Sequence, residues 1–257
     1  MTGLSANNLS FSYGARDVLE NLSFQPLPKG KLTALIGPNA AGKSTLFRLI
    51  SGLKKPQRGQ IVLDGNNLAD RSARKRLELI CFMPQQFAAN AALTVFDVVM
   101  MAHKHLRGWR VSDADMHTVG IALAQAGIGH LAEAYISELS GGQSQMVSVA
   151  QALIRHCDVY LFDEPTSALD LRHQLDVLMR IKTVMEQRNA IGVVALHDLN
   201  LAARYADHLI LLGKGQILAQ GTAQEVLRSP AITQVYKVDV EICNGPRKDL
   251  TVHAYAS

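Results

Sequence analysis

The chain has 257 residues, a formal net charge of +4, and 48% hydrophobic and 19% charged residues. That balance excludes a disordered or fibrous chain and fits one α/β domain, with or without an inserted subdomain. The charge does not demand an acidic partner, no nucleic-acid partner is expected, and no apolar run approaches the ~18 residues needed to cross a bilayer.

The opening stretch MTGLSANNLSFSYG lacks a basic segment followed by an apolar one, so no signal peptide is expected. Beyond it, short apolar runs alternate with segments of helical period, the pattern of an α/β fold with a mainly parallel sheet. Residues 32–36 read as a buried strand, and 42–50 as a helix with Leu46, Leu49 and Ile50 facing inward. The basic group Arg71, Arg74, Lys75 and Arg76 reads as a solvated helix face. Residues 80–83 read as another buried strand. From 87 to 155 helical patterns take over, at 94–105, 113–126 and 142–154, which marks an inserted helical subdomain. Its apolar segment 91–101 has two readings, a core helix or one wall of a groove for a partner. Arg107 and Trp109 read as a plain loop or as partner contacts. Strands return at 159–162, 193–196 and 209–212, with a short helix over 198–205. The tail, at 236–242 and 250–254, reads as a small β addition. The expected division is a core of 1–86 and 156–229, a helical subdomain of 87–155 and a β extension of 230–257. Cys81, Cys157 and Cys243 are far apart in sequence and show no metal-ligand spacing, so they read as reduced, buried thiols.

Chemistry concentrates in two places. Residues 37–45 are Gly37, Pro38, Asn39, Ala40, Ala41, Gly42, Lys43, Ser44 and Thr45, a G-x-x-x-x-G-K-[ST] loop between a strand and a helix. Backbone N–H groups of such a loop face phosphates, the helix dipole favours anions, Lys43 adds charge at the β/γ-phosphates, and the Ser44 hydroxyl can ligate Mg²⁺. The apolar run 159–162 ends in Asp163 and Glu164. A carboxylate at that strand end can hold Mg²⁺, in part through water, and the next one can orient or deprotonate an attacking water.

Residues 139–143 read LSGGQ, about twenty residues before Asp163 and Glu164, and on this signature the chain resembles the ABC ATPases. Further motifs of that family stand in order: Tyr13 resembles the aromatic that stacks on adenine, Gln85 the Q-loop glutamine, Asp170 the D-loop aspartate and His197 the switch histidine. The resemblance covers about residues 4–229. It implies a P-loop NTPase (RecA-like) core with an inserted helical subdomain and a small N-terminal antiparallel β portion. It also implies ATP and Mg²⁺ as cofactors, with Glu164 as catalytic base, His197 and Gln85 beside it, and Ser44, Gln85 and Asp163 around the metal. Two copies would pair head to tail, so that Ser140, Gly141, Gly142 and Gln143 complete the site on the other copy. The remaining implied partners are integral-membrane permease subunits and, indirectly, a periplasmic or surface solute-binding protein. The place implied is the cytoplasmic face of the inner membrane.

Within the family, the stretch around 93–100 resembles the helix after the Q-loop in importers, and those around 7–14, 197–207 and 235–240 look like the ATPases of ferric-siderophore, haem and cobalamin importers. Zinc and manganese importer ATPases, and non-transport cytosolic ABC ATPases, are the alternatives. Four residues depart from the family pattern. Ala40 replaces a common Gly, at a cost of about 1 kcal/mol if the position has positive φ and none otherwise. Met146 and Gln151 stand where Arg is common, which is expected to alter ion pairs between subdomains while sparing the chemistry. His103 also replaces an Arg common in the iron-chelate branch.

Overall fold

The computed structural model describes residues 2–85, 92–106, 108, 110–244 and 250–256; Ala91, Arg107 and Trp109 lie outside them. Strands β1 (Leu4–Tyr13) and β2 (Arg16–Leu27) form a hairpin whose turn holds Gly14 at φ 60°. Leu4, Ala6, Leu9 and Phe11 of β1 are buried while their neighbours are more exposed, the alternation of a sheet with one wet face. β3 (Lys31–Ile36) is buried at every position after the first, as befits a strand covered on both faces. It feeds the loop that opens α1 (Lys43–Ile50). β4 (Arg58–Leu63) and the short β5 (Asn66–Asn67) complete a four-stranded antiparallel sheet ordered β2-β1-β4-β5.

Helix α2 (Ala73–Leu79) buries no residue and pairs both Arg74 and Lys75 with Glu78. It carries most of the basic group, with Arg71 just before it. β6 (Ile80–Met83) follows. Three helices then come before the next strand: α3 (Val95–Lys104), α4 (Asp113–Gln125) and α5 (Gly141–Ile154). Each starts at a capping box, Thr94 with Asp97, Ser112 with Asp115 and Ser140 with Gln143, which satisfies free N–H groups of the first turn.

The second half runs β7 (Val159–Asp163), α6 (Leu171–Arg188), β8 (Ile191–Ala195), α7 (Leu199–Tyr205), β9 (His208–Gly213) and β10 (Gln216–Gly221). It ends with α8 (Ala223–Leu227), α9 (Pro230–Tyr236) and the hairpin β11 (Val238–Asn244) and β12 (Leu250–Ala256). The main sheet has the order β10-β9-β3-β8-β7-β6 and is parallel except for the β9–β10 pair. On one face, Leu35, Leu161 and Ile210 pack with α1 and the antiparallel sheet; on the other, Ala34, Phe162 and Val194 pack with α5 and α6.

Several boundaries differ from the sequence reading. β8 starts at Ile191 rather than 193, because Gly192 pairs in the sheet where Met185 and Leu32 leave no room for a Cβ. It ends at Ala195, and Leu196 instead donates its N–H to the Leu35 carbonyl at 3.2 Å. Residues 230–236 are helical rather than β, since Ser229 caps the helix and Pro230 occupies its first turn; Tyr236 ends this helix and the hairpin begins at Val238. Cys81 and Cys157 are buried, but Cys243 is half-exposed on the hairpin.

Candidate functional site

The strand order builds the site. Side by side, the C-terminal ends of β3, β8, β7 and β6 lead into the phosphate loop, His197, Asp163 with Glu164, and Gln85. Four segments distant in sequence thus meet along one edge of the sheet, where open α/β sheets bind ligands. They surround a cleft of about 700 Å³ lined by Tyr13, Asn39, Ala40, Ala41, Gly42, Lys43, Ser44, Thr45, Gln85, Glu164 and His197, together with Arg16 and Val18.

The loop depends on two glycines. A Cβ at Gly37 would stand 2.2 Å from the Leu212 carbonyl oxygen, and one at Gly42 would stand 2.7 Å from Leu19 Cδ2. Lys43 is buried, and its Nζ donates to the carbonyls of Gly37 and Pro38 at 2.7 and 3.0 Å, which draws the loop into a ring. Burial lowers the Lys43 pKa, against the pull of Glu164 and Asp163. Ala40 has φ 62°. The departure from Gly therefore falls at a left-handed position and carries a strain of about 1 kcal/mol.

Asp163 is buried, and burial raises its pKa; a hydrogen bond from the Ser44 hydroxyl opposes that shift. Its Oδ1 has no hydrogen-bond partner among the described residues. An unsatisfied buried carboxylate oxygen beside a hydroxyl is a donor set that fits a hard cation such as Mg²⁺. Next to it, Glu164 has φ 55°, a strained value for a residue with a side chain. Contacts on three sides hold it there. Gln85 Nε2 donates to Oε2 at 2.7 Å, His197 Nε2 meets Oε1, and Gln145 Nε2 donates to the Glu164 carbonyl at 3.0 Å. Strain held in place at a carboxylate facing a phosphate cradle suits a general base set for water.

Tyr13 sits at the rim, 39% exposed, with its ring edge-on to Phe11 and Lys54 5.9 Å from its centroid. Arg48 Nη1 donates to its hydroxyl at 3.4 Å and is the first cause of its lowered pKa.

Ser140, Gly142, Gln143 and Asp170 are not on this cleft. They line a separate cavity of about 990 Å³ with Met146, Arg172, His173 and Arg180. Gly141 opens α5 between them. Ser140 Oγ accepts from the Gln143 N–H at 3.3 Å, which leaves its own hydrogen for a further acceptor. Asp170 caps α6 by accepting from the His173 N–H at 2.9 Å.

Residues that sequence reasoning passed over include Gln145, Arg16, Val18 and Arg48. Gln145 had a readable signal, as a polar residue on the apolar side of α5; it is 6% exposed. The departures also find partners. His103 Nε2 lies 2.9 Å from Asp115 Oδ1, and Gln151 Nε2 donates to the Val98 carbonyl at 3.3 Å, so it ties α5 to α3 with no ion pair.

Comparison with known proteins gives the family. The family model described as ABC transporter matches residues 19–167, more than half of the chain. The iron(3+)-hydroxamate import ATP-binding protein FhuC of Bacillus subtilis (strain 168) is 36% identical over 254 residues, 98% of this chain and 94% of that one. A solved ABC transporter described as of metal-chelate type, in an inward-facing conformation, superposes with TM-score 0.82 at 29% identity, covering 99% of this chain and 97% of that chain. An ATP-binding cassette solved as a dimer in a post-hydrolysis state with ADP and Pi superposes with TM-score 0.77 at 26% identity, covering 86% of this chain and 98% of that one. The chain belongs to the ABC transporter family, as one of its ATP-binding, ATP-hydrolysing subunits.

Proposed function

We propose that the chain powers uptake of an iron chelate, a ferric siderophore or haem, through a separate membrane permease, and that it works as a head-to-tail dimer at the cytoplasmic face of the membrane. The observation that carries the dimer is the split site. The phosphate loop and the LSGGQ helix line different cavities of one chain, so an anion held by both needs two copies. ATP bridging both halves favours the closed pair, and hydrolysis removes that preference. The cleavage step in each site would use Lys43 and the loop N–H groups on the phosphates and Tyr13 on the adenine. Glu164 would take the proton of the attacking water, with His197 and Gln85 orienting it. Ser44, Asp163 and Gln85 would hold Mg²⁺, which when bound neutralises charge on the β- and γ-phosphates. The partner copy would supply Ser140, Gly141, Gly142 and Gln143, with Asp170 beside them.

The permease contact is assigned to an apolar groove of about 570 Å³ lined by Met83, Leu93, Val98, Met101, Ile136 and Gln151. The core reading fits one face of α3, where Val95 and Val99 are buried, and the groove reading is proposed for the other, where Met101 is 47% exposed. The described residues contain no helix long and apolar enough to cross a membrane. A core of 1–86 and 156–229 with a helical subdomain of 87–155 would place the groove where the two meet. The iron-chelate class is supported by the named substrate of FhuC and by the metal-chelate type of the superposed transporter.

The test is native co-purification followed by uptake. The tagged chain should bring down a polytopic permease from membranes, and its deletion should abolish uptake of a radiolabelled ferric hydroxamate or haem. A zinc- or manganese-type permease, or soluble partners alone, would reject the iron-chelate class.

A further inference from the structure

The C-terminal extension meets two segments that lead out of the nucleotide site, the phosphate loop and the helix after His197. At the first stands Tyr236, the last residue of α9. Its hydroxyl is buried with no hydrogen-bond partner among the described residues. The backbone N–H of Gly37, the first residue of the phosphate loop, lies near it, and burial raises the phenol pKa to about 12.

At the second stands Asn200, in the first turn of α7. Its Nδ2 donates to the Val252 carbonyl at 3.2 Å, and its Oδ1 accepts from the Val252 N–H at 2.7 Å. Exchange of both bonds with one residue is what a neighbouring strand does, so this side chain grips β12 as a strand would. Val252 is itself 8% exposed and packed into the larger core. His197 stands just before this turn. On one side, the Leu196 N–H is fixed to the Leu35 carbonyl. On the other, Asp198 accepts from the N–H groups of Asn200 and Leu201 at 2.7 and 3.1 Å. The His197 segment is therefore suspended between β3 and the C-terminal hairpin.

We propose that the hairpin β11–β12 is a brace for hydrolysis, in which Asn200, anchored on Val252, positions His197 against Glu164. The inference rests on the reading of His197 as a γ-phosphate contact. Asn200 is a positioning residue. Releasing it loosens His197 and leaves the phosphate loop intact, so turnover falls while nucleotide affinity holds.

The experiment compares full-length Asn200→Ala and the milder Asn200→Gln, which keeps both a donor and an acceptor for Val252. Each is made alone and in a His197→Ala background, with kcat, KM for MgATP, calorimetric ATP affinity and melting measured for all. Asn200→Ala should lower kcat about tenfold or more, the scale of a misplaced reacting group, with KM and affinity within about twofold. Asn200→Gln should fall between it and the wild type, and it decides the matter if Asn200→Ala does not fold. In the His197→Ala background the Asn200 changes should add nothing, because both act through one group. Folded Asn200 variants that turn over at the wild-type rate, or that cost the same factor with and without His197, overturn the brace. A His197→Ala enzyme with unchanged kcat would instead remove the reading on which it stands.

Discussion

At the scale of single residues, the site is built from positions that cost stability. Ala40 and Glu164 both hold positive φ. Ala40→Gly should stabilise the protein by up to about 1 kcal/mol in equilibrium denaturation and leave ATPase activity unchanged; a loss of stability would mean that the Ala40 backbone is unstrained. Asp163 supplies a pH argument. Its folded pKa is raised by burial, so its favourable contribution is complete below the ordinary carboxylate range and disappears as pH rises through the raised value. At neutral pH the buried carboxylate opposes folding of the nucleotide-free protein. Asp163→Asn should therefore raise the apo melting temperature at pH 7, by about 1 kcal/mol in stability, while losing Mg²⁺-dependent turnover, and the melting gain should fade toward acid pH. A lower apo melting temperature would contradict this. Lys43→Ala should lose most of its nucleotide affinity, measured by calorimetry, and wild-type affinity would break the phosphate-cradle assignment.

At the scale of elements, what could be read in the sequence followed from local pattern. The buried runs of β3, β6 and β7 are mostly apolar, and the phosphate loop and LSGGQ carry their chemistry in spacing. What stayed hidden depended on contacts from elsewhere. α6 is an 18-residue helix with Val177, Leu178, Ile181 and Met185 as its buried stripe, yet its many charged residues mask that period. The pairing of β1 with β4 joins segments about fifty residues apart, and no local signal announces it. α9 was obscured by its place before a β hairpin. The hydroxyl of Tyr236 at its end contributes a buried group without a partner, and an apolar isostere removes that penalty. Tyr236→Phe should leave the melting temperature equal or higher; a clear fall would show that the hydroxyl is satisfied in solution. Gln151 bonds a backbone carbonyl within the helical insertion, so Gln151→Arg should change kcat by less than about threefold. A many-fold rise in steady-state turnover would show that the missing charge had impaired the chemistry.

At the scale of the whole molecule, the chain carries two half-sites that do not meet. Glu164, His197 and Lys43 share one cleft, and Ser140 and Gln143 another. The motif residues of both halves are legible in the sequence, but their separation is a property of the strand order and of the placement of α5. On the proposed function, that separation is the reason a second copy is needed. A nucleotide would then act as the joint between copies, with its contacts divided between two surfaces and weakened when the γ-phosphate leaves.

The most direct measurement is the mass in solution of Glu164→Gln with and without MgATP, by light scattering on a sizing column. Removing the base should slow hydrolysis at least about 100-fold and trap the nucleotide, so the 28.0 kDa chain should run as a dimer with MgATP and as a monomer without it, and Ser140→Arg should abolish the dimer. A Glu164→Gln protein that hydrolyses ATP at the wild-type rate, or stays monomeric at saturating MgATP, would contradict a site completed by two copies.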